Sequence, residues 1–173
     1  MAADITVIGI DPGSQNTGWG VVREVSGVLS LVDCGVIRTG AARGAVFSER
    51  LACIYRELSA VLVRLCPQEA AVEQVFTAHN AATALKLGQA RGVAVAACAA
   101  QGIGISDYEP TLVKKTIVGA GRAEKEQVQY MVARLLQVKN PQWALDTSDA
   151  LGIAICHLTL RRYAQWATQT KGK

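Results

Sequence analysis

Residues 6–22, TVIGIDPGSQNTGWGVV, decide the fold because they join one apolar run to a second through a tight turn. β-branched residues dominate the first run, which predicts a strand over Ile5–Asp11. Pro12 and Gly13 predict a reversal of the chain directly after it. A carboxylate among apolar neighbours is costly unless a partner compensates for its burial. The stretch therefore predicts a buried strand that ends on an acidic group, Asp11, in need of a partner.

The rest of the chain predicts one α/β domain. Strands at Trp19–Val25 and Val28–Arg38 complete an antiparallel meander with the first strand. Helical and strand patterns then alternate, which predicts a mixed sheet covered by helices. The predicted helices are 48–66 (with Ser48 as N-cap), 80–102 (with Asn80 as N-cap), 111–118, 124–137 and 147–166, and the remaining strands are 69–76 and 104–110. The 173 residues predict a single domain over 1–165 and a flexible basic tail over 166–173.

Composition excludes several classes of protein. The chain has no apolar run of about 18 residues, and an acid near its start replaces the basic region of a secretory signal. These features predict a soluble, cytoplasmic protein. The cysteines are odd in number and form no CxxC pair, as expected of small core residues in a reducing compartment: Cys34, Cys53, Cys66, Cys98 and Cys156. The two histidines, His79 and His157, match no metal-binding spacing.

Positive charge is concentrated in two segments. The net charge is +4, and residues 114–125 carry four cationic side chains against one acid. Residues 161–173 carry four more and no acid. Such clusters indicate a polyanionic partner, although solvated lysines on an ordinary surface give the same pattern.

Four carboxylates stand where acids are unusual. Glu73 lies inside the apolar run AAVEQVF, as Asp11 lies at the end of the first strand, while Asp146 and Asp149 are three residues apart on one face of the last helix. Taken singly, Asp11 could begin a turn, Glu73 could lie on an exposed edge strand, and the last two could be N-terminal helix acids. Their joint occurrence favours convergence on one site.

Converging carboxylates require cations, because several anions close together raise one another's pKa until protons or metals neutralise them. Oxygen donors alone select Mg²⁺ or Mn²⁺ over zinc. Sites of this kind hold two ions about 3.5–4 Å apart and hydrolyse phosphodiesters. The sequence therefore predicts a metal-dependent nuclease.

Four segments in order, IGIDPGSQNTGWGVV, VEQVFTAHNAATALKLGQARG, VKKTIVGAGRAEKEQVQ and DTSDALGIAICH, closely resemble the RuvC family of bacterial Holliday-junction resolvases. The similarity covers about residues 4–160. It implies a ribonuclease H-like fold, with a five-stranded mixed sheet flanked by helices. It also implies a nucleoid-associated homodimer that makes symmetric nicks in opposing strands of four-way DNA junctions during recombination and repair. The RuvA–RuvB branch-migration complex is the partner that the resemblance implies.

The resemblance assigns roles to individual residues. Four match the family's catalytic, metal-binding acids: Asp11, Glu73, Asp146 and Asp149. The last pair varies within the family, where a histidine can replace one acid. Phe76 matches an aromatic residue that stacks on an unpaired base near the crossover, and Lys114 and Lys125 match two functionally important lysines. The further candidate DNA contacts are Asn80 and Lys115.

Two questions stay open at this stage. Small residues recur every fourth position of the second helix and form a smooth stripe, which either the protein's own sheet or a second subunit could cover: Ala84, Gly88, Gly92, Ala96 and Ala100. The alternative functions are a nuclease acting on RNA, a junction-binding protein without catalysis, and an actin-like ATPase or sugar kinase. The second should lack one of the acids, and the third needs a second copy of the GIDPGS turn.

Overall fold

A five-stranded mixed sheet forms the centre of the molecule in the computed structural model, which describes residues 4–40, 46–74 and 80–170. Its strands are β1 (Asp4–Asp11), β2 (Asn16–Val25), β3 (Val28–Arg38), β4 (Glu69–Glu73) and β5 (Gly104–Tyr108). The spatial order is β3-β2-β1-β4-β5. The first three strands pair antiparallel, and β4 and β5 run parallel to β1. This arrangement confirms the predicted α/β class with a meander followed by parallel strands.

Helices cover both faces of the sheet. They are α1 (Phe47–Leu65), α2 (Ala81–Ala100), α3 (Pro110–Val118), α4 (Lys125–Leu135) and α5 (Leu145–Thr170). The alternation of side chains along β1 separates two cores: Val7 packs with α3, α4 and α5, whereas Ile8 and Ile10 pack with α1 and α2. None of the helices in the described ranges is long and apolar enough to cross a membrane. All five cysteines are free, and Cys98 and Cys156 are buried.

The predicted starts of β2 and α1 are wrong, each for a local reason. β2 begins at Asn16, three residues before the predicted Trp19, because the turn is closed by the Thr17 hydroxyl donating to the Gly13 carbonyl at 2.8 Å. The N-cap of α1 is Val46, so the predicted cap Ser48 lies inside the helix. Glu49 selects this start, since its Oε2 accepts the Val46 N–H at 3.1 Å.

The last helix is longer than the pattern predicts. It starts at Leu145, where the prediction has 147, because the Ala144 carbonyl accepts the N–H groups of Thr147 and Ser148. It continues to Thr170, so residues 166–170 of the predicted tail are helical, while residues 171–173 lie outside the described residues. Asn80 caps α2 as predicted, with Oδ1 accepting the Thr83 N–H at 2.8 Å.

Close contact between α5 and the sheet positions the site. A Cβ atom added to Gly9 would lie 2.0 Å from the Ala150 carbonyl oxygen, and one added to Gly18 would lie 2.1 Å from the carbonyl oxygen of Asp146. Any side chain at these two positions would push the helix away. The glycines of β1 and β2 therefore let the start of α5, with its two aspartates, lie directly on the strands.

Candidate active site

The carboxyl ends of β1 and β4 meet the amino end of α5 at one edge of the sheet. The two strands are parallel neighbours, with Ile10 beside Val72, so Asp11 and Glu73 follow them at the same edge. Asp146 lies in the first turn of α5, and Asp149 follows one turn later. Three elements distant in sequence thus direct all four predicted acids toward one place.

The carboxylates are close enough together to bind the same metal ion. One oxygen each from Asp11, Asp146 and Asp149 lie within 4.8 Å of one another. Glu73 lines, with Asp11 and Asp149, a cleft of about 260 Å³, and, in addition to burial, its charge contributes to the raised pKa of Asp11. The convergence predicted from the sequence is therefore present in the structure.

Proton affinity in the cleft is strongly perturbed. Burial, followed by the charge of Glu73, raises the pKa of Asp11 from 3.8 to about 8. Burial, followed by the charge of Asp149, raises the pKa of Glu73 from 4.5 to about 7. Lys125 offsets part of this repulsion, because its Nζ lies 2.9 Å from Asp149 Oδ2. The hydrogen bond to Asp149 in turn raises the pKa of Lys125.

The donor set fits a hard divalent cation. All donors are carboxylate oxygens, the acids outnumber the single lysine bonded to them, and burial makes their negative charge costly without further positive charge. The amino end of α5 adds a favourable dipole for Asp146 and Asp149. The side chains that would hold the metal are the four acids named from the sequence.

The other predicted DNA-binding residues occupy different environments. Lys114 lines the acidic cleft, together with Lys125. Lys115, the next residue of α3, is exposed and does not line it. The Asn80 side chain is engaged in capping α2. Phe76 lies outside the described residues.

One wall of the cleft is apolar and is not anticipated by the sequence analysis. Pro110 and Val113 of α3 and Val128 of α4 form it. Residues three apart share a helix face. If either Pro110 or Val113 had been placed near the acids, the spacing would have predicted that the other also lies there. The cleft therefore combines carboxylates, two lysines and an apolar patch.

Sequence relatives share one description. The family model for crossover junction endodeoxyribonuclease RuvC matches residues 7–157. A protein of that description from Oleidesulfovibrio alaskensis is 64% identical over 163 residues, which cover 94% of this chain and 96% of the relative. One from Lawsonia intracellularis is 64% identical over 159 residues, covering 92% and 93%.

Solved structures agree with the sequence relatives. RuvC from Thermus thermophilus in complex with a Holliday junction substrate superposes with a TM-score of 0.85 at 33% identity, covering 92% of this chain and 96% of that one. The yeast mitochondrial resolvase Ydc2, at 13% identity and a TM-score of 0.68, covers 95% and 83% and shares the fold. These matches confirm the ribonuclease H-like fold, and the chain belongs to the RuvC family of crossover junction endodeoxyribonucleases.

Proposed function

We propose that this protein is a Holliday-junction resolvase, a metal-dependent endonuclease that nicks opposing strands of four-way DNA junctions during recombination and repair. The observation that carries the proposal is the convergence of Asp11, Asp146 and Asp149 within 4.8 Å in a chain of this family. A solved relative at 33% identity holds a Holliday junction substrate. A complete acid set speaks against the alternative of a junction-binding protein without catalysis.

The four carboxylates hold Mg²⁺ in this proposal, as two ions per subunit, and Mn²⁺ can replace it. Ions bound in this way supply an activated water and stabilise the leaving oxygen of a phosphodiester. The acids must be deprotonated to bind metal, so bound ions would counteract the raised pKa of Asp11 and Glu73.

Two lysines position the DNA backbone. Lys114 and Lys125 both line the cleft, where an ammonium group can contact a phosphate oxygen without selecting a base sequence. Lys125 also holds Asp149 in place through their ion pair. Phe76, which the chain carries three residues after Glu73, is proposed to stack on an unpaired base at the crossover.

A second copy of the chain completes the enzyme, because resolving a junction requires two cuts on opposite strands and a two-fold dimer matches that symmetry. The smooth stripe of α2 is the proposed subunit contact. All five of its small residues are exposed. Within the described part of the chain, nothing lies within 4 Å of a Cβ atom added to Gly88 or Gly92. The protein's own sheet therefore does not account for these glycines.

A labelled synthetic four-way junction tests the proposal. We expect the protein with Mg²⁺ to cut it at symmetry-related positions in two opposing strands, giving nicked duplexes that ligase can seal. A linear duplex of the same sequence should remain intact, and chelation of the metal should abolish cutting. Efficient cutting of structured RNA, with the DNA junction left intact, would favour the RNA-processing alternative. An added RuvA–RuvB complex would test the proposed motor partner.

A further inference from the structure

A second polar cluster lies at the opposite end of β4 from the acidic cleft. His157 of α5 is 5% exposed. Its Nε2 lies 2.6 Å from Oε2 of Glu69, and its Nδ1 lies 2.8 Å from the Tyr108 hydroxyl. Arg161, one turn further along α5, donates from Nε to the other oxygen of Glu69 at 3.1 Å. Both oxygens of this carboxylate are thus bound by a single helix.

The hydrogen bonds also determine which ring nitrogen of His157 carries a proton. His157 and Arg161 hold the pKa of Glu69 below its usual value against the effect of burial, so Glu69 is a carboxylate that accepts hydrogen bonds. The N–H group at His157 Nε2 therefore donates a hydrogen bond to Glu69. In the neutral ring Nδ1 then accepts from the Tyr108 hydroxyl. The network joins α5 to both β4 and β5.

This cluster is rigidly related to the catalytic acids by the elements that carry them. His157 follows Asp146 by eleven residues, which is close to three helical turns, so both project from nearly the same face about 16 Å apart. Glu69 and Glu73 begin and end β4, about 13 Å apart along the strand. A bond between Glu69 and His157 therefore constrains how Asp146 faces Glu73.

Near the acids, α5 contacts the strands through its backbone and one leucine. At Gly9 and Gly18 the closest atoms of the helix are backbone carbonyl oxygens, and the Leu151 side chain packs against Gly20. On the opposite flank, Arg162 donates to the Gly27 carbonyl at 3.2 Å and lies 3.7 Å from Glu24. Polar contacts thus hold both sides of α5 beyond the glycine contact.

We propose that Glu69, His157 and Arg161 form a positioning clamp, which sets the rotation of α5 and thereby aligns Asp146 and Asp149 with Asp11 and Glu73 for metal binding. The clamp rests on the proposed function, because its purpose is the geometry of the metal site. Its residues do not touch the cleft and act only through the helix and the strand. They are positioning residues for the nuclease reaction.

The test replaces His157 with Leu in the full chain, which removes both hydrogen bonds and keeps an apolar side chain. Mn²⁺ binding is titrated by electron paramagnetic resonance, and junction cleavage is resolved into kcat and KM. We expect Mn²⁺ affinity and kcat to fall about tenfold each with KM unchanged, because ligands misaligned by a fraction of an ångström bind and react poorly. His157→Gln, which retains a donor near the position of Nε2, should restore most of both.

The matched control is Ile54→Val, a buried change in α1 on the other face of the sheet. It lowers stability without touching α5 and should leave Mn²⁺ affinity unchanged. If His157→Leu fails to fold, Mn²⁺ affinity and kcat are measured instead for Tyr108→Phe and Glu69→Gln, each of which removes or weakens one hydrogen bond of His157. Folded clamp variants with the Mn²⁺ affinity and kcat of the natural protein would overturn the clamp. Failure of the natural protein itself to bind Mn²⁺ or cut junctions would overturn the proposed function instead.

Discussion

Asp11 ends a strand and directly follows four buried residues, 7–10, and it lies close to three further carboxylates. In the unfolded chain the pKa of this group lies near its ordinary 3.8, whereas in the folded, metal-free protein burial raises it to about 8. Between these values the folded state binds a proton that the unfolded state has released. A group of this kind stabilises the folded protein less as the pH rises.

The metal-free protein should therefore lose stability as the pH rises from about 4 to about 8, with Glu73 adding to the slope up to about 7. Thermal unfolding in a chelator measures this trend. Asp11→Asn removes the main titrating group and should raise Tm at pH 8 by several degrees. Saturating Mg²⁺ should stabilise the natural protein more than the variant. A natural protein whose Tm in chelator rises over this range would contradict the assignment.

The same substitution should separate binding from catalysis. Asparagine keeps the size of Asp11 and removes a metal-binding charge, so Asp11→Asn should bind a four-way junction in Ca²⁺ with near-normal affinity. Cleavage in Mg²⁺ should fall about 10³-fold or more, because several kcal/mol of transition-state stabilisation are lost.

Asp4→Asn is the matched control for that experiment. Asp4 begins the same strand, is exposed and pairs with Arg23, and an exposed ion pair contributes little to stability. The control should cut at the normal rate in a gel assay run beside Asp11→Asn. Comparable cleavage by the two variants would remove Asp11 from the catalytic set.

Single residues differ in how far sequence alone predicts their role. The convergence of the four acids was predictable, because two carboxylates in apolar strands are costly to bury and two more lie three residues apart at a helix start, which together suggest a common ligand. The partners of His157 were not, because hydrogen bonds to Glu69 and Tyr108 join positions 88 and 49 residues apart. The available signal was the apolar helix around His157, since a buried histidine needs partners for its ring nitrogens.

At the scale of elements, α3 separates two adjacent lysines. Lys114 lines the acidic cleft and Lys115 points away from it, because neighbouring residues of a helix are about 100° apart. We expect Lys114→Gln to slow junction cleavage about tenfold or more and to weaken the salt dependence of binding. Lys115→Gln carries the same loss of charge and should cut within about twofold of the natural rate. Single-turnover cleavage at two salt concentrations distinguishes them, and equal losses in both variants would contradict a specific role for Lys114.

Backbone contact between β1 and α5 gives a second prediction at this scale. A methyl group at Gly9 would lie 2.0 Å from the Ala150 carbonyl oxygen, so Gly9→Ala should force the helix outward and cost about 3 kcal/mol of unfolding free energy. Gly104→Ala is the control, since a Cβ there meets nothing within 4 Å. Urea denaturation of the two variants should show a large loss only for Gly9→Ala, and equal stability would refute direct contact.

The sequence predicts the existence and order of the elements better than their ends. Periodicity identified each helix and strand, because amphipathic faces follow directly from burial. The ends depend on individual hydrogen bonds, such as Glu49 to the Val46 N–H or the Thr17 hydroxyl to Gly13. Several side chains near each boundary could make such bonds, and only the folded geometry selects one.

For the whole molecule, the distribution of charge matches a substrate that is itself a polyanion. The chain has a net charge of +4, while its acids converge in one cleft beside two lysines. Bound divalent ions would neutralise that cleft, so that it no longer repels a phosphate backbone. Metal binding and junction cutting are therefore expected to be coupled in this protein.

Two coordinated cuts require two copies of the cleft, which makes the exposed face of α2 the place to test assembly. Leu85 is 64% exposed and lies three and seven residues before Gly88 and Gly92, on the same side of the helix. A buried charge in a subunit contact is strongly unfavourable, so Leu85→Glu should shift the protein from dimer to monomer in analytical ultracentrifugation.

Cleavage of a supercoiled plasmid with an extruded cruciform measures whether the loss of the dimer also removes paired cutting. A single nick releases the supercoiling and the cruciform is lost, so only paired cutting within one binding event yields linear DNA. The natural protein, as the proposed dimer, should give mainly linear product, whereas Leu85→Glu should give nicked circles at a lower rate. Val28→Glu, at the first residue of β3, which is 60% exposed, should behave as the natural protein. A dimeric Leu85→Glu that still linearises the plasmid would exclude this face of α2 as the subunit contact, because a buried carboxylate without a partner would have dissociated it.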